Sequence, residues 1–350
     1  MKKQLLIISM LSFIISCSLE KDTIPLINKE TPLELVAETD MLWTGIAISK
    51  EGRIFVNFPR WSMNVPISVG EVVHGKVVPY PNESLNSWTF ENHSDNKFVC
   101  VQSVYIDDQN YLWILDPASP LIQGVLGSGG RLHKVNLSTN SIVKTYKYDS
   151  TVLHKNSYLN DVRIDTKKSK AYITDSGVGS IIVTDLKTGE SNRYLEGHFS
   201  VKAHFDFLNF GDNKIPLKVH SDGISLNNEN TYLYYIPLTS HTLYRINTDY
   251  LNTNEDLYNR VEKVCNLDVA TDGMIFDNDN NLFLGGLEDN SINVFTSNND
   301  LLKLVKNENI KWADSFAKDA KGNIYFTTSQ LHLPAEQKET YSIYKLNLKN

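Results

Sequence analysis

The stretch "DGMIFDNDNNLFLGGL", residues 272–287, reads as a short apolar strand, a turn of Asp and Asn, and a second strand, and it opens on an Asp-Gly step. Two apolar runs joined by an Asx-rich turn are the mark of a β-hairpin. The pattern recurs in "GIAISKEGRIFVNF" from 45, "SVYIDDQNYLWILDP" from 103, "DVRIDTKKSKAYITDS" from 161, "GISLNNENTYLYYIPL" from 223 and "SFAKDAKGNIYFTTS" from 315. A four-stranded sheet cannot bury both of its faces alone, so repeats of this size stack face to face, and a closed ring protects their edges. The expected fold is all-β, a six-bladed β-propeller with four-stranded antiparallel blades. The repeated hairpin would supply strands A and B of each blade, and segments such as 131–148 and 180–195 would supply C and D. A pair of β-sandwiches is the alternative, and it accounts poorly for six near-equal repeats.

The 350 residues are 41% hydrophobic, with a formal charge of −7 and a mean hydropathy of −0.28. That composition supports a large core in a soluble chain and offers no basic surface for nucleic acid. The N-terminus, "MKKQLLIISMLSFIISCSLEKD", has two lysines, an apolar run from Leu5 to Ile15 and then Ser16-Cys17, the layout of a secretory signal peptide. The run is shorter than the roughly 20 residues that a membrane-spanning helix needs. Ile14-Ile15-Ser16-Cys17 resembles a bacterial lipobox, in which Cys17 becomes the lipidated first residue; an ordinary signal peptide is the alternative. The expected division is residues 1–16 as signal, 17–40 as tether and 41–350 as propeller. The chain would then be an exported monomer of the cell envelope that meets the membrane only through its lipid. The other two cysteines, Cys100 and Cys265, can pair or stay as thiols; their apolar strand contexts favour thiols. No CxxC, HExxH, P-loop or GxSxG pattern occurs.

In a propeller, strand A is innermost and begins at one mouth of the central channel. The residues expected ahead of each strand A are Thr44, Gln102, Asn160, Asp222, Asp272 and Asp314, so they should ring that mouth. Asn57, Asp116, Asp175 and Thr328 end strand B behind them. Carboxyl groups crowded into one concave site repel each other and call for a cation, a cationic ligand or shared protons. An oxygen-only set suits Ca²⁺, with Asn160, Asp222 and Asp272 as its ligands, or equally an amine held among aromatic rings. His220 and His332 lie near the same mouth as candidate bases or ligand contacts. Trp61, and Trp88 at the end of "YPNESLNSW" (80–88), can cap the channel or serve as core between blades. In isolation each of these residues is more simply read as a turn or core residue; the shared register of the acids is what raises a site.

Longer stretches carry a likeness to a known family. "TGIAISKEGRIFVNFPRW" (44–61), "YPN" (80–82), "FVCVQSVYIDDQNYLWILDPASP" (98–120), "SYLNDVRIDTKKSKAYITDSGVGSIIVTDLKTGESNRYLEGHFSV" (157–201), "DGISL" (222–226), "YYIPLTSHTLYRI" (234–246) and "YFTTSQLH" (325–332) resemble, in order and wording, the major royal jelly protein and Yellow family. The resemblance implies a six-bladed propeller and an exported protein. It does not imply one activity, since such proteins are associated with dopachrome conversion, with binding of biogenic amines or sterols, or with no known role. For a tautomerase-like step, an acid–base pair of Asp272 or Asp222 with His220 would move the proton on a bound quinone-like substrate. The likeness extends to the architecture of gluconolactonase and regucalcin propellers, whose channel metal is held by an acid and by residues in Asn-Gly and Asp-Gly steps. Asn160 and Asp272 stand at matching strand starts, whereas Thr44 replaces the expected Glu. The alternatives are thus a Ca²⁺-dependent hydrolase or a binding module of the envelope without chemistry.

Overall fold

The repeats fold as blades for a reason visible at their turns. In the opening stretch, the Asp277 carboxylate accepts the backbone N–H groups of Asp279 and Asn281, each at 2.8 Å, and Asn280 takes a left-handed φ of 59°. Asp107 and Asp319 do the same for the residues two and four positions on, beside Asn110 and Gly322 at φ 66° and 84°. In the first repeat the Ser49 hydroxyl takes the carboxylate's place, with Gly52 at φ 83°. A short polar side chain that caps its own turn, followed by Asn or Gly at positive φ, fixes the hairpin's register.

The computed structural model describes residues 33–348 except 92–95, 128 and 253–256. The expected signal peptide and Cys17 lie outside the described residues. Six four-stranded antiparallel sheets follow one another round a ring, and their innermost strands are Ile46–Ile48, Ser103–Ile106, Leu159–Asp165, Ser221–Leu226, Thr271–Phe276 and Ala313–Lys318. Each innermost strand touches the next, and the last touches the first, so the ring is closed. The segments at 131–148 and 180–195 are outer strands as expected, Gly130–Asn136 with Ser141–Tyr148 and Ser180–Asp185 with Ser191–Tyr194. Closure corrects one boundary. Leu33–Thr39 pairs with Tyr341–Leu346 as the outermost strand of blade six, so the sheet begins inside the stretch expected as a tether. This strand thereby completes the last blade and covers the edge of Tyr341–Leu346.

Apolar clusters fill the spaces between blades; Tyr172, Ile181, Ile224 and Tyr235, for example, pack between blades three and four. Trp88 is core, packed with Val99, Cys100 and Ala118. Cys100 and Cys265 are both free thiols, with Cys100 buried. An additional hairpin, Phe207–Phe210 with Asn213–Pro216, leaves the ring between blades three and four. No helix among the described residues is long and apolar enough to cross a membrane.

Candidate functional site

Strand A carries a β-bulge at its start in four consecutive blades. The pairing slips between Leu159 and Val162, Ser221 and Ile224, Thr271 and Met274, and Ala313 and Phe316, so that two residues on strand A face one on strand B. The doubled positions are Asn160-Asp161, Asp222-Gly223, Asp272-Gly273 and Asp314-Ser315. The four ring residues expected just ahead of strand A in these blades are therefore within it. A bulge breaks the alternation of side chains and re-aims them, which brings Asp161 to the site beside Asn160.

The glycines that come second in two of the pairs explain the Asp-Gly step. A β-carbon on Gly273 would stand 2.3 Å from the Asp314 carbonyl oxygen, and one on Gly223 would stand 2.1 Å from that of Asp272. Glycine lets the backbone of the neighbouring blade reach that close. Strand B supplies matching ties. The Thr174 hydroxyl accepts from Asp161 N (3.1 Å) and donates to the Asp222 carbonyl (2.7 Å), and Thr327 does the same between Ser315 N (3.2 Å) and the Thr44 carbonyl (2.5 Å).

These constraints gather four carboxyl groups, Asp161, Asp222, Asp272 and Asp314. Asp222 and Asp314 are buried, while Asp161 and Asp272 keep partial exposure and form the opening. Burial, then the charges of Asp161 and Asp314, push Asp222 well above the usual carboxylate range, and its carboxyl adjoins Asp272 and Asn160. Burial, then Asp314 and Asp222, push Asp272 the same way. Asp314 is pushed up to about 7 by burial, against the neighbouring Ser329 and Ser315 hydroxyls. Burial also raises Asp161, although the Arg163 guanidinium lies 3.7 Å away and Ser103 Oγ donates to it at 2.8 Å. Such a group shares protons at neutral pH or takes up a cation.

The remaining expected residues divide sharply. Thr44 is buried, donating to the Gln102 carbonyl (3.0 Å) and accepting from Asn57 Nδ2 (2.8 Å), so its side chain is spent on joining blades. Gln102 Oε1 accepts from Tyr158 Oη (2.8 Å), which accepts from Trp61 Nε1 (2.6 Å). Asp116 accepts the N–H groups of Val99, Cys100 and Ala118 at 2.6–2.9 Å. Asp175 accepts that of Tyr158 at 2.9 Å and pairs with Arg193 at 2.9 Å. Asp116 and Asp175 have no exposed surface. They hold loops in place instead of facing the channel. Thr328 is tied to Ser342 in its own blade.

His220 Nδ1 accepts from Ala203 N at 2.9 Å, and burial followed by Lys202 lowers its pKa; no hydrogen bond joins it to Asp222 or Asp272. His332 is stacked on Phe210 with centroids 4.4 Å apart, and Trp312 lies parallel to both, 6.0 Å from Phe210 and 6.1 Å from His332. Burial, then Lys311 and Lys338, lower His332 to about 4, so its ring is neutral in this stack. Trp312 is the link to the acids: its Nε1 donates to Asp272 Oδ2 at 2.7 Å. Sequence reading missed Trp312, Asp161 and Phe210. The Asp next to Asn160 in "NDV" was a usable signal for Asp161 once a bulge is allowed for; the extra hairpin that delivers Phe210 had none.

The site can therefore hold a cationic group or move a proton beside an aromatic wall. Asn160, Asp222 and Asp272 stand together, but among the described residues no three acidic, histidine or cysteine side chains are arranged to hold a metal ion.

Similar proteins agree on the architecture and differ in chemistry. Over 90% of this chain and 89% of that one, the structure of a gluconolactonase from Xanthomonas campestris superposes with a TM-score of 0.56 at 11% identity. A calcium-binding regucalcin from Agrobacterium tumefaciens does so with a TM-score of 0.53 at 12% identity, over 89% and 94%. A streptogramin B lyase gives 0.56 at 13%, over 91% and 97%. At these identities the likeness shows the fold alone. In sequence, the chain is 24% identical over 193 residues to major royal jelly protein 6 of Apis mellifera and 23% identical over 250 residues to major royal jelly protein 3, covering 53% and 67% of itself. The matches span less than half of those relatives, 43% and 45%. A profile described as major royal jelly protein matches residues 99–348, most of the ring, and the chain belongs to that family.

Proposed function

We propose that the mouth formed by Asp161, Asp222, Asp272 and Asp314 binds a small organic ligand with an amine or other cationic group and an aromatic body, in a protein exported and held at the cell envelope through Cys17. The observation that carries this reading is that bulges in four consecutive blades press four carboxyl groups together, and among the described residues Arg163 is the one basic group in an ion pair with them. A bound ammonium relieves that repulsion, and Trp312 offers a ring beside it. A dopachrome-tautomerase-like step fits the same group if carboxyls alone move the proton. Asp314, pushed up to about 7, suits general acid–base work at neutral pH, and Nδ1 of His220 is committed to Ala203 N.

Thermal shift with tyramine is the test. Tyramine should raise the melting temperature of the natural chain, and the double substitution Asp222→Asn, Asp272→Asn should abolish that rise. No rise with the natural chain, or an equal rise with the double variant, removes the reading. Dopachrome decay in the same samples separates an enzyme from a binding module. The second reading is a Ca²⁺-dependent lactonase, favoured by the oxygen-only donors and by the shared fold with a gluconolactonase. It requires Ca²⁺ to raise the melting temperature and EDTA to stop lactone hydrolysis.

A further inference from the structure

The opposite end of the channel, where the A–B hairpins turn, holds a cavity of about 360 Å³ that the acid site does not use. Its size is within the range of small-ligand pockets, about 300–1,000 Å³. Tyr105, Ile106, Ile275 and Phe316 give it an apolar wall, and Arg163 and Lys318 line it as well. The acids and cations here are not equally occupied. Asp107 accepts from Gln109 N, Tyr111 N and Trp113 Nε1, and Asp319 accepts from Lys321 N, Asn323 N, Asn323 Nδ2 and Tyr325 Oη. Their oxygens are consumed by the turns that define the blades. The cations are held instead by neutral carbonyls. Lys318 Nζ donates to the Phe276 carbonyl at 3.1 Å, and the Arg163 amino groups donate to those of Val162 at 2.8 Å and Met274 at 3.2 Å. Arg163 also lies over the Tyr105 ring at 5.3 Å, and its ion-pair partner Asp161 is at 3.7 Å, beyond hydrogen-bond length. Burial lowers the Lys318 pKa, and the more distant Asp277 offsets only part of that.

We propose that this second mouth is a separate binding site for a small organic anion, a carboxylate on an apolar body, with Lys318 and Arg163 taking the charge and Tyr105, Ile275 and Phe316 the body. Charge-assisted hydrogen bonds from a half-buried ammonium and a planar guanidinium suit a carboxylate. The site opens at the other end of the channel from the acid mouth, with Arg163, 3.7 Å from Asp161, standing between them.

The probe is benzoate, with benzamide and benzylamine as its neutral and cationic counterparts, in calorimetric titration of the whole chain. Benzoate should bind saturably and more tightly than either counterpart. Lys318→Met should weaken it about tenfold or more, the loss of one hydrogen bond to a charged group, whereas Lys318→Arg should retain it. Arg163 ties blade three to blade five, so Lys318 is the position to change. Asp222→Asn should leave benzoate binding unaltered, which separates this site from the other mouth. Absence of saturable benzoate binding, equal binding of benzamide, or full binding by Lys318→Met overturns the assignment.

Discussion

Asp175 and Asp222 stand at the same end of one channel on neighbouring blades, yet they belong to different regions in physical terms. Asp175 ends a strand B and is surrounded by donors: backbone N–H groups of Tyr158, Gly177 and Val178, and the Arg193 guanidinium. Asp222 sits in a strand A bulge among the carboxyls of Asp161, Asp272 and Asp314, with the Asn160 amide beside it and, among the described residues, no cation paired to it. Both are almost fully buried. Burial of an acid is therefore no guide to its role; what decides is whether the fold supplies partners for its charge. Where donors are complete, the carboxylate is a structural fastening. Where four carboxyls from four blades share a few donors, Ser103, Trp312 and Ser315, and the single guanidinium of Arg163, the molecule retains a demand that a ligand or protons must meet.

The largest effect should come from breaking the first region. Asp175→Ala removes the acceptor of three N–H groups and the buried partner of Arg193, which keeps Glu196, and should destabilise the fold by about 3–5 kcal/mol in urea unfolding. A loss below about 1 kcal/mol would show that Asp175 is not the fastening the geometry describes. Next comes the close approach between blades. Gly273→Ala sets a β-carbon against the Asp314 carbonyl and should cost about 1–3 kcal/mol, and it should disturb the acid group at the same time. The smallest change, and one of opposite sign, is expected for Asp222→Asn. The folded-state pKa of Asp222 is raised, so the folded chain holds the proton more firmly than the unfolded chain does. The stability that this lends is complete at acid pH and is lost as pH rises from the usual carboxyl range through the raised folded-state value of Asp222. Asparagine does not titrate. Without ligand, Asp222→Asn should thus melt higher than the natural chain at pH 8, with the difference shrinking by pH 5. A variant that melts lower at pH 8 would mean that the acids are held ionised by partners of their own, and the contrast between the regions would fail.

How far such contrasts can be read without coordinates depends on the range of the interaction involved. Turn chemistry is local: Asp277 caps its own hairpin, so the residue types alone signal it. The register of Asn160, Asp222, Asp272 and Asp314 was legible for the same reason, because each occupies one place in a repeated unit. Asp161 was not, since strict alternation along a strand places it on the other face, and only the bulge re-aims it. The strand-B acids Asp116 and Asp175 were legible in position but not in bonding, because their partners come from loops that enter strand B's far end.

The six repeats determined the ring, its closure from near-equal units and the mouth at which the acids gather, because each follows from local pattern multiplied by symmetry. Tertiary structure alone decided which members of that ring keep an unmet charge. It spent Thr44 and Gln102 on contacts between blades, stacked Phe210 and His332 beside Trp312, and put the Arg163 guanidinium between the acid mouth and the second cavity. Those outcomes depend on side chains from different blades meeting at a few ångströms, and the sequence distance between them carries no trace of that meeting.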